Sequence, residues 1–298
     1  MSRLYEALQR ADQERRNTPA PEAFPVVEPL AVSDFDEPQP PTADMAAEQI
    51  AYHAWTPSSA SFPTLADRGK GVEQFRSLRS RIYQARYEAP LKTILISSGM
   101  PSEGKSFIAA NLAMNLARNT VNNILLIDGD LRRPTLHSLL GAPNTPGLSE
   151  YLEGKAELGE ILQRDSSPIP SQDSSVGNTS SLTFIPAGKC GDNSSELVAN
   201  HRIDELIAAV SPHYDWILID SPPVLAVTDA VELAHAADAV LLIARGARTP
   251  FDVAQRTQAA FTNSRILGFV LNDVKEIKQR GYNYYDYYRG SAAAVRAK

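Results

Sequence analysis

Eight consecutive residues, Gly99-Met100-Pro101-Ser102-Glu103-Gly104-Lys105-Ser106, have the types and spacing of a phosphate-binding loop, G-x-x-x-x-G-K-[ST]. Glycines in such a loop let backbone N–H groups turn inward around phosphate oxygens, and the helix that follows adds the positive end of its dipole. The flanks fit: TILIS reads as a strand leading in, and FIAANLAMNLA as a helix leading out. This reading puts Lys105 on the β- and γ-phosphates and the Ser106 hydroxyl on Mg²⁺. Gly99, Ser102, Glu103, Gly104 and Phe107 complete the expected cofactor-binding stretch.

Two further strand ends carry acids. ILLIDGD ends in Asp128 and Asp130, and WILIDSPP ends in Asp220 before two prolines that must stop the strand. A carboxylate just past a buried parallel strand emerges at the carboxyl edge of the sheet, where ligands of such sheets bind. There Asp128 and Asp130 could polarise a nucleophile and hold metal-bound water, and Asp220 could bind Mg²⁺ through water. Asn272, closing ILGFVLN, is a purine contact by position or simply a strand-ending Asn.

The elements positioning these residues repeat as strand, turn and helix after Lys92. Strands are expected at 93–97, 124–128, 182–185, 216–220, 239–244 and 266–271. Continuous apolar strands alternating with helices predict an α/β fold, a doubly wound, mostly parallel sheet with helices on both faces. Before it, residues 71–88 read as a helix with Val72, Phe75, Leu78, Ile82 and Tyr83 on one face. Residues 164–181, rich in Ser, Pro, Gln and Asn, read as a flexible surface insertion. Residues 68–280 would form the main domain and 281–298 a tail.

The N-terminal part differs. Residues 1–16 place Leu4, Tyr5, Leu8 and Ala11 on one stripe of a short amphipathic helix. Residues 17–67 carry eight acids, no Lys or Arg, and nine of the 21 prolines, which predicts a disordered acidic tether. This segment accounts for the net charge of −6, so no basic block argues for nucleic acid. The single Cys190 makes no intramolecular disulfide and fits a reducing cytoplasm. No apolar run reaches the roughly 18–20 residues that span a bilayer.

Taken together, the motifs resemble those of the bacterial tyrosine kinases of capsule and exopolysaccharide systems, P-loop proteins related to partition and cell-division-site ATPases. The resemblance covers about residues 71–290. It rests on the phosphate loop, the Asp128/Asp130 and Asp220 strands, Glu73, Arg76 and Arg79 in the family's E-x-x-R-x-x-R spacing, and the tail tyrosines Tyr282, Tyr284, Tyr285, Tyr287 and Tyr288. It implies ATP and Mg²⁺ as cofactors, with Lys105, Asp128, Asp130 and Asp220 catalytic and Ser106, Asp128 and Asp220 about the metal. Asp128 would orient and deprotonate a tyrosyl hydroxyl from a neighbouring subunit's tail. Glu73, Arg76 and Arg79 would join subunits into a ring, and the phosphates added to the tails would loosen it. Also implied are a membrane-embedded co-polymerase or chain-length determinant as activator, a cognate tyrosine phosphatase, and a cytoplasmic location at the inner face of the plasma membrane.

Other readings use the same residues. A partition-type ATPase switch normally carries a lysine five positions before Lys105, where this chain has Met100. A non-catalytic scaffold would not need Lys105, Ser106, Asp128, Asp130 and Asp220 intact, and a GTPase would carry an Asn-Lys-x-Asp motif, which is absent. Five tyrosines in seven residues could also pack as an adhesive terminus, but Asn283, Asp286, Arg289 and the flanking glycines leave no apolar face to bury.

Overall fold

Strands alternating apolar residues toward two faces need cover on both, and the computed structural model is built on that requirement. It describes residues 50–57, 61–65, 69–118, 122–166, 181–189, 194–199 and 202–274. All of them lie in the unit Ala43–Lys298. The expected helix over 1–16, Cys190 and the tail 281–298 with its five tyrosines lie outside the described residues.

Among the described residues eight strands form one sheet: β1 (Ala51–His53), β2 (Thr93–Ser98), β3 (Ile124–Asp128), β4 (Gln163–Asp165), β5 (Leu182–Ile185), β6 (Trp216–Asp220), β7 (Ala239–Arg245) and β8 (Ile266–Asn272), in the order β1-β4-β5-β3-β6-β2-β7-β8. Every pairing is parallel except β4 with β5. The helices are α1 (Lys70–Glu88), α2 (Lys105–Ala117), α3 (Leu136–Leu140), α4 (Leu148–Leu152), α5 (Leu158–Ile161), α6 (Ser194–Val198), α7 (Arg202–Val210), α8 (Asp229–His235) and α9 (Phe251–Ala260).

The two faces follow the period of two. Ile94, Ile96, Leu126 and Leu218 join α1 and α2 in one core layer, whereas Leu95, Leu125, Ile127 and Ile219 join α7 and α8 in the other. Helix α2 is buried nearly all round, lying between the sheet and α1. Pro90 follows the end of α1, where the Arg265 guanidinium donates to the carbonyl of Ala85 at 2.9 Å and to that of Ala89, a terminal acceptor, at 3.4 Å.

Three boundaries differ from the sequence expectation. The tether does not extend to residue 67, because residues 50–57 and 61–65 pack onto the fold. There Trp55 and Phe62 are buried, and Trp55 meets Phe184 edge to face at 6.1 Å. Asn111, a polar residue within buried α2, holds this segment: it accepts from Thr64 Oγ1 at 2.9 Å and donates to the Ser61 carbonyl at 2.9 Å. The insertion is also narrower than 164–181. Arg164 and Asp165 belong to β4, and Ser181 is buried with its hydroxyl on the Ala117 carbonyl at 2.7 Å. Strands β1 and β4 were not expected, since three-residue pieces reading AYH and QRD have no hydrophobic period of their own.

Candidate active site

The site lies at the carboxyl edge of the central strands. Strand β2 runs into the phosphate loop, β3 ends at Asp128 and β6 at Asp220, and the last two are register partners on adjacent strands. The loop turns tightly. Gly104 has φ 97°, and a Cβ there would meet Asn272 Nδ2 at 2.1 Å; one at Gly99 would meet Thr257 Oγ1 at 2.2 Å. At the start of α2 the amides of Lys105, Ser106 and Phe107 belong to the first helical turn, whose N–H groups lack intrahelical acceptors.

Beside the loop is a cavity of about 510 Å³, lined among others by Ser102, Gly104, Lys105, Ser106 and Asp130. Lys105 is buried at its wall. Asp220 is fully buried, and neither of its carboxylate oxygens has a hydrogen-bond partner among the described residues. Burial pushes its carboxyl up to about 7, with the Lys105 ammonium acting in the opposite direction. An unsatisfied buried carboxylate beside a lysine and the Ser106 hydroxyl is the donor set a hard divalent cation takes together with phosphate oxygens and water. The residues therefore fit Mg²⁺. No cluster of three His, Cys, Asp or Glu suited to a metal occurs among the described residues.

The other two acids are placed differently. Asp128 is fully buried, with Oδ2 accepting from the amides of Thr135 and Leu136 at 3.2 and 3.1 Å and Oδ1 from that of Asp130 at 3.3 Å. Its carboxyl is held well above the usual range by burial and then by the charge of Asp220. Asp130 reaches the cavity wall. Burial raises its carboxyl too, against Lys105 and the amides of Arg133 and Arg132.

No protein-family model matches the chain. Tyrosine-protein kinase YwqD of Bacillus subtilis (strain 168) is 33% identical over 215 residues, which are 72% of this chain and 85% of that protein. The chain belongs to the bacterial tyrosine-protein kinase family. Another member, tyrosine-protein kinase wzc of Salmonella typhimurium, is 35% identical over 219 residues, covering 73% of this chain but 28% of its own. This chain thus aligns with under a third of that longer relative. The kinase domain of Escherichia coli tyrosine kinase ETK superposes with a TM-score of 0.60 at 32% identity, covering 72% of this chain and 79% of that one.

The remaining kinase-family residues serve varied ends. Glu103 is a brace: Met100 N donates to it at 2.8 Å, and Thr249 Oγ1 donates to its other oxygen. Asn272 Nδ2 donates to the Glu103 carbonyl at 3.0 Å, tying β8 to the loop. The Phe107 ring faces Phe75 at 6.2 Å, away from the phosphate loop's cavity. Glu73 pairs with Arg76 at 2.6 Å within α1, and Arg79 donates to the Asn115 carbonyl at 2.9 Å. Sequence reasoning missed Arg245, which donates to the Ser102 carbonyl at 3.3 Å and pairs with Asp273 at 2.8 Å. The sequence also gives no role to Arg132, two residues after Asp130, which lines the cavity. No helix among the described residues is long and apolar enough to cross a membrane.

Proposed function

We propose that this chain is an ATP-dependent tyrosine autokinase that phosphorylates Tyr282, Tyr284, Tyr285, Tyr287 and Tyr288 in trans, within a ring of its own copies. The observation that carries the reading is the phosphate loop with Lys105 and Ser106 on one cavity and, buried beside those two residues, the unsatisfied carboxylate of Asp220, in a chain of this family. Lys105 and the loop amides would hold the β- and γ-phosphates. Ser106 and Asp220, with Asp128 behind them, would hold Mg²⁺, which when bound neutralises charge on the phosphates.

Asp130 is the carboxylate that faces the cavity, and we assign it the proton of the incoming tyrosyl hydroxyl. As that oxygen bonds the γ-phosphorus, the bond to the β–γ bridging oxygen breaks and ADP leaves. Asp128, tied to three amides, fixes the turn carrying Asp130. Positioning and electrostatics supply most of the rate in such a transfer. Each transferred phosphate adds about −1.5 to −2 charge to a tail, which would loosen the ring. By the family's association with polysaccharide export, the cycle would be started by a membrane-embedded co-polymerase at the cytoplasmic face of the plasma membrane and reset by a tyrosine phosphatase.

Intact-mass spectrometry with tail-peptide mapping tests this on protein overproduced in a bacterial host. A ladder of phosphate adducts on the peptide bearing residues 282–288, absent from Lys105→Met, is the expected result. Equal labelling of both proteins would remove the assignment of Lys105 and the autokinase reading with it.

A further inference from the structure

Arg132 lines the same cavity as Lys105, Ser106 and Asp130 and is fixed there by a clamp from two other elements. Its Nε donates to Asp229 Oδ2 at 3.0 Å, and its Nη2 donates to Ser195 Oγ. The Ser195 hydroxyl in turn donates to Asp229 Oδ1 at 2.9 Å. Asp229 opens α8 and Ser195 lies in α6, so three segments distant in sequence close one ring of hydrogen bonds.

The burial is unequal: the Asp229 side chain is 3% exposed and that of Arg132 41%. A buried carboxylate costs several kcal/mol unless paired, and this one has its cation at the edge of an open cavity. The geometry suits holding a guanidinium outward. With Nε and Nη2 committed, Nη1 has no partner among the described residues. Arg133, which also lines the cavity, has no side-chain partner among them, so of these two arginines only Arg132 is preorganised.

A planar guanidinium fixed by a carboxylate on one edge presents its free donor to an anion on the other. The anion expected beside Lys105 and Ser106 is a phosphoryl group, and in phosphoryl transfer charge is spread over its oxygens. We propose that Arg132 is a second cationic ligand for the γ-phosphoryl group in this cavity, and that Asp229 and Ser195 are positioning residues acting through it. This rests on the nucleotide reading of the cavity given above.

The test uses the full chain with Mg²⁺ and measures affinity for the β,γ-imido analogue of ATP and for ADP, so that no transfer is needed. Arg132→Ala and Asp229→Asn should each lower the ratio of triphosphate to ADP affinity by about tenfold or more, the worth of a charge-assisted hydrogen bond. The double variant should be no worse than Arg132→Ala alone, because Asp229 works through the arginine. Arg132→Lys, which keeps the charge and loses the fork, should recover only part of the ratio and guards against misfolding of the alanine variant.

Equal loss for both nucleotides, an unchanged ratio, or additive losses in the double variant would overturn the proposal. An unchanged ratio with tails stalled at one phosphate would move Arg132 to an acceptor's phosphotyrosine instead. If the variants show the expected ratios yet the wild-type chain never labels its tail, even with a candidate activator's cytoplasmic peptide added, the kinase reading falls and the clamp stands.

Discussion

At Asp128 and Asp220, two carboxylates on adjacent strands are buried beside each other. Burial is the first cause of both shifts, raising Asp128 well above its ordinary value and Asp220 from 3.8 to about 7. The folded state therefore keeps protons that the unfolded chain releases, and stability falls where the unfolded state binds fewer. This contribution is fully present below 3.8 and is lost as pH rises through about 7. Without Mg²⁺ or nucleotide, Tm should drop by several degrees between about pH 5 and pH 8. Asp220→Asn, which cannot ionise, should flatten most of that slope, and Mg²⁺ with ADP should restore stability mainly at the alkaline end. Scanning calorimetry across the range decides it, and a wild-type slope matched by Asp220→Asn would acquit this pair.

Among the elements, the segment 50–65 carries the most instructive result. Its prolines and its place after an acidic stretch argue for a tether, yet two aromatic side chains are buried and Asn111 anchors the backbone between them. Removing a fully buried phenylalanine costs about 3–5 kcal/mol. Phe62→Ala should lower the stability of the kinase-family domain by that amount, read as a shift in urea midpoint at constant m-value. A midpoint that does not move would return the segment to the tether.

The whole-molecule question is assembly. Glu73 is exposed and pairs only with Arg76 among the described residues, whereas Arg79 already bonds a carbonyl of its own α2. Exposed pairs contribute about 0–1 kcal/mol to folding, so Glu73→Ala tests the proposed ring without disturbing the subunit. Light scattering should show its mass falling toward that of a single chain. Arg79→Ala should do the same while also losing a little thermal stability through the Asn115 contact. If Glu73→Ala keeps the wild-type mass, this end of α1 is an ordinary solvated face.

Much of this was legible in the chain because it is local. The strands 124–128, 182–185 and 216–220 announce themselves by short, largely apolar and β-branched runs, and they form with those limits. The phosphate loop needs only eight adjacent residues between a strand and a helix. What the sequence left open depends on residues far apart. Asp128 and Asp130 look alike as strand-end acids, but amides occupy both oxygens of the buried Asp128, whereas Asp130, which accepts from the Arg133 amide through Oδ1, reaches the cavity wall. Asp229 lies 97 positions from Arg132, Thr249 146 from Glu103 and Asn272 169 from the same residue. No periodicity relates such pairs. They meet because parallel strands return every crossover to the same edge of the sheet, where the loops after β2, β3, β6, β7 and β8 converge on one cavity and its braces.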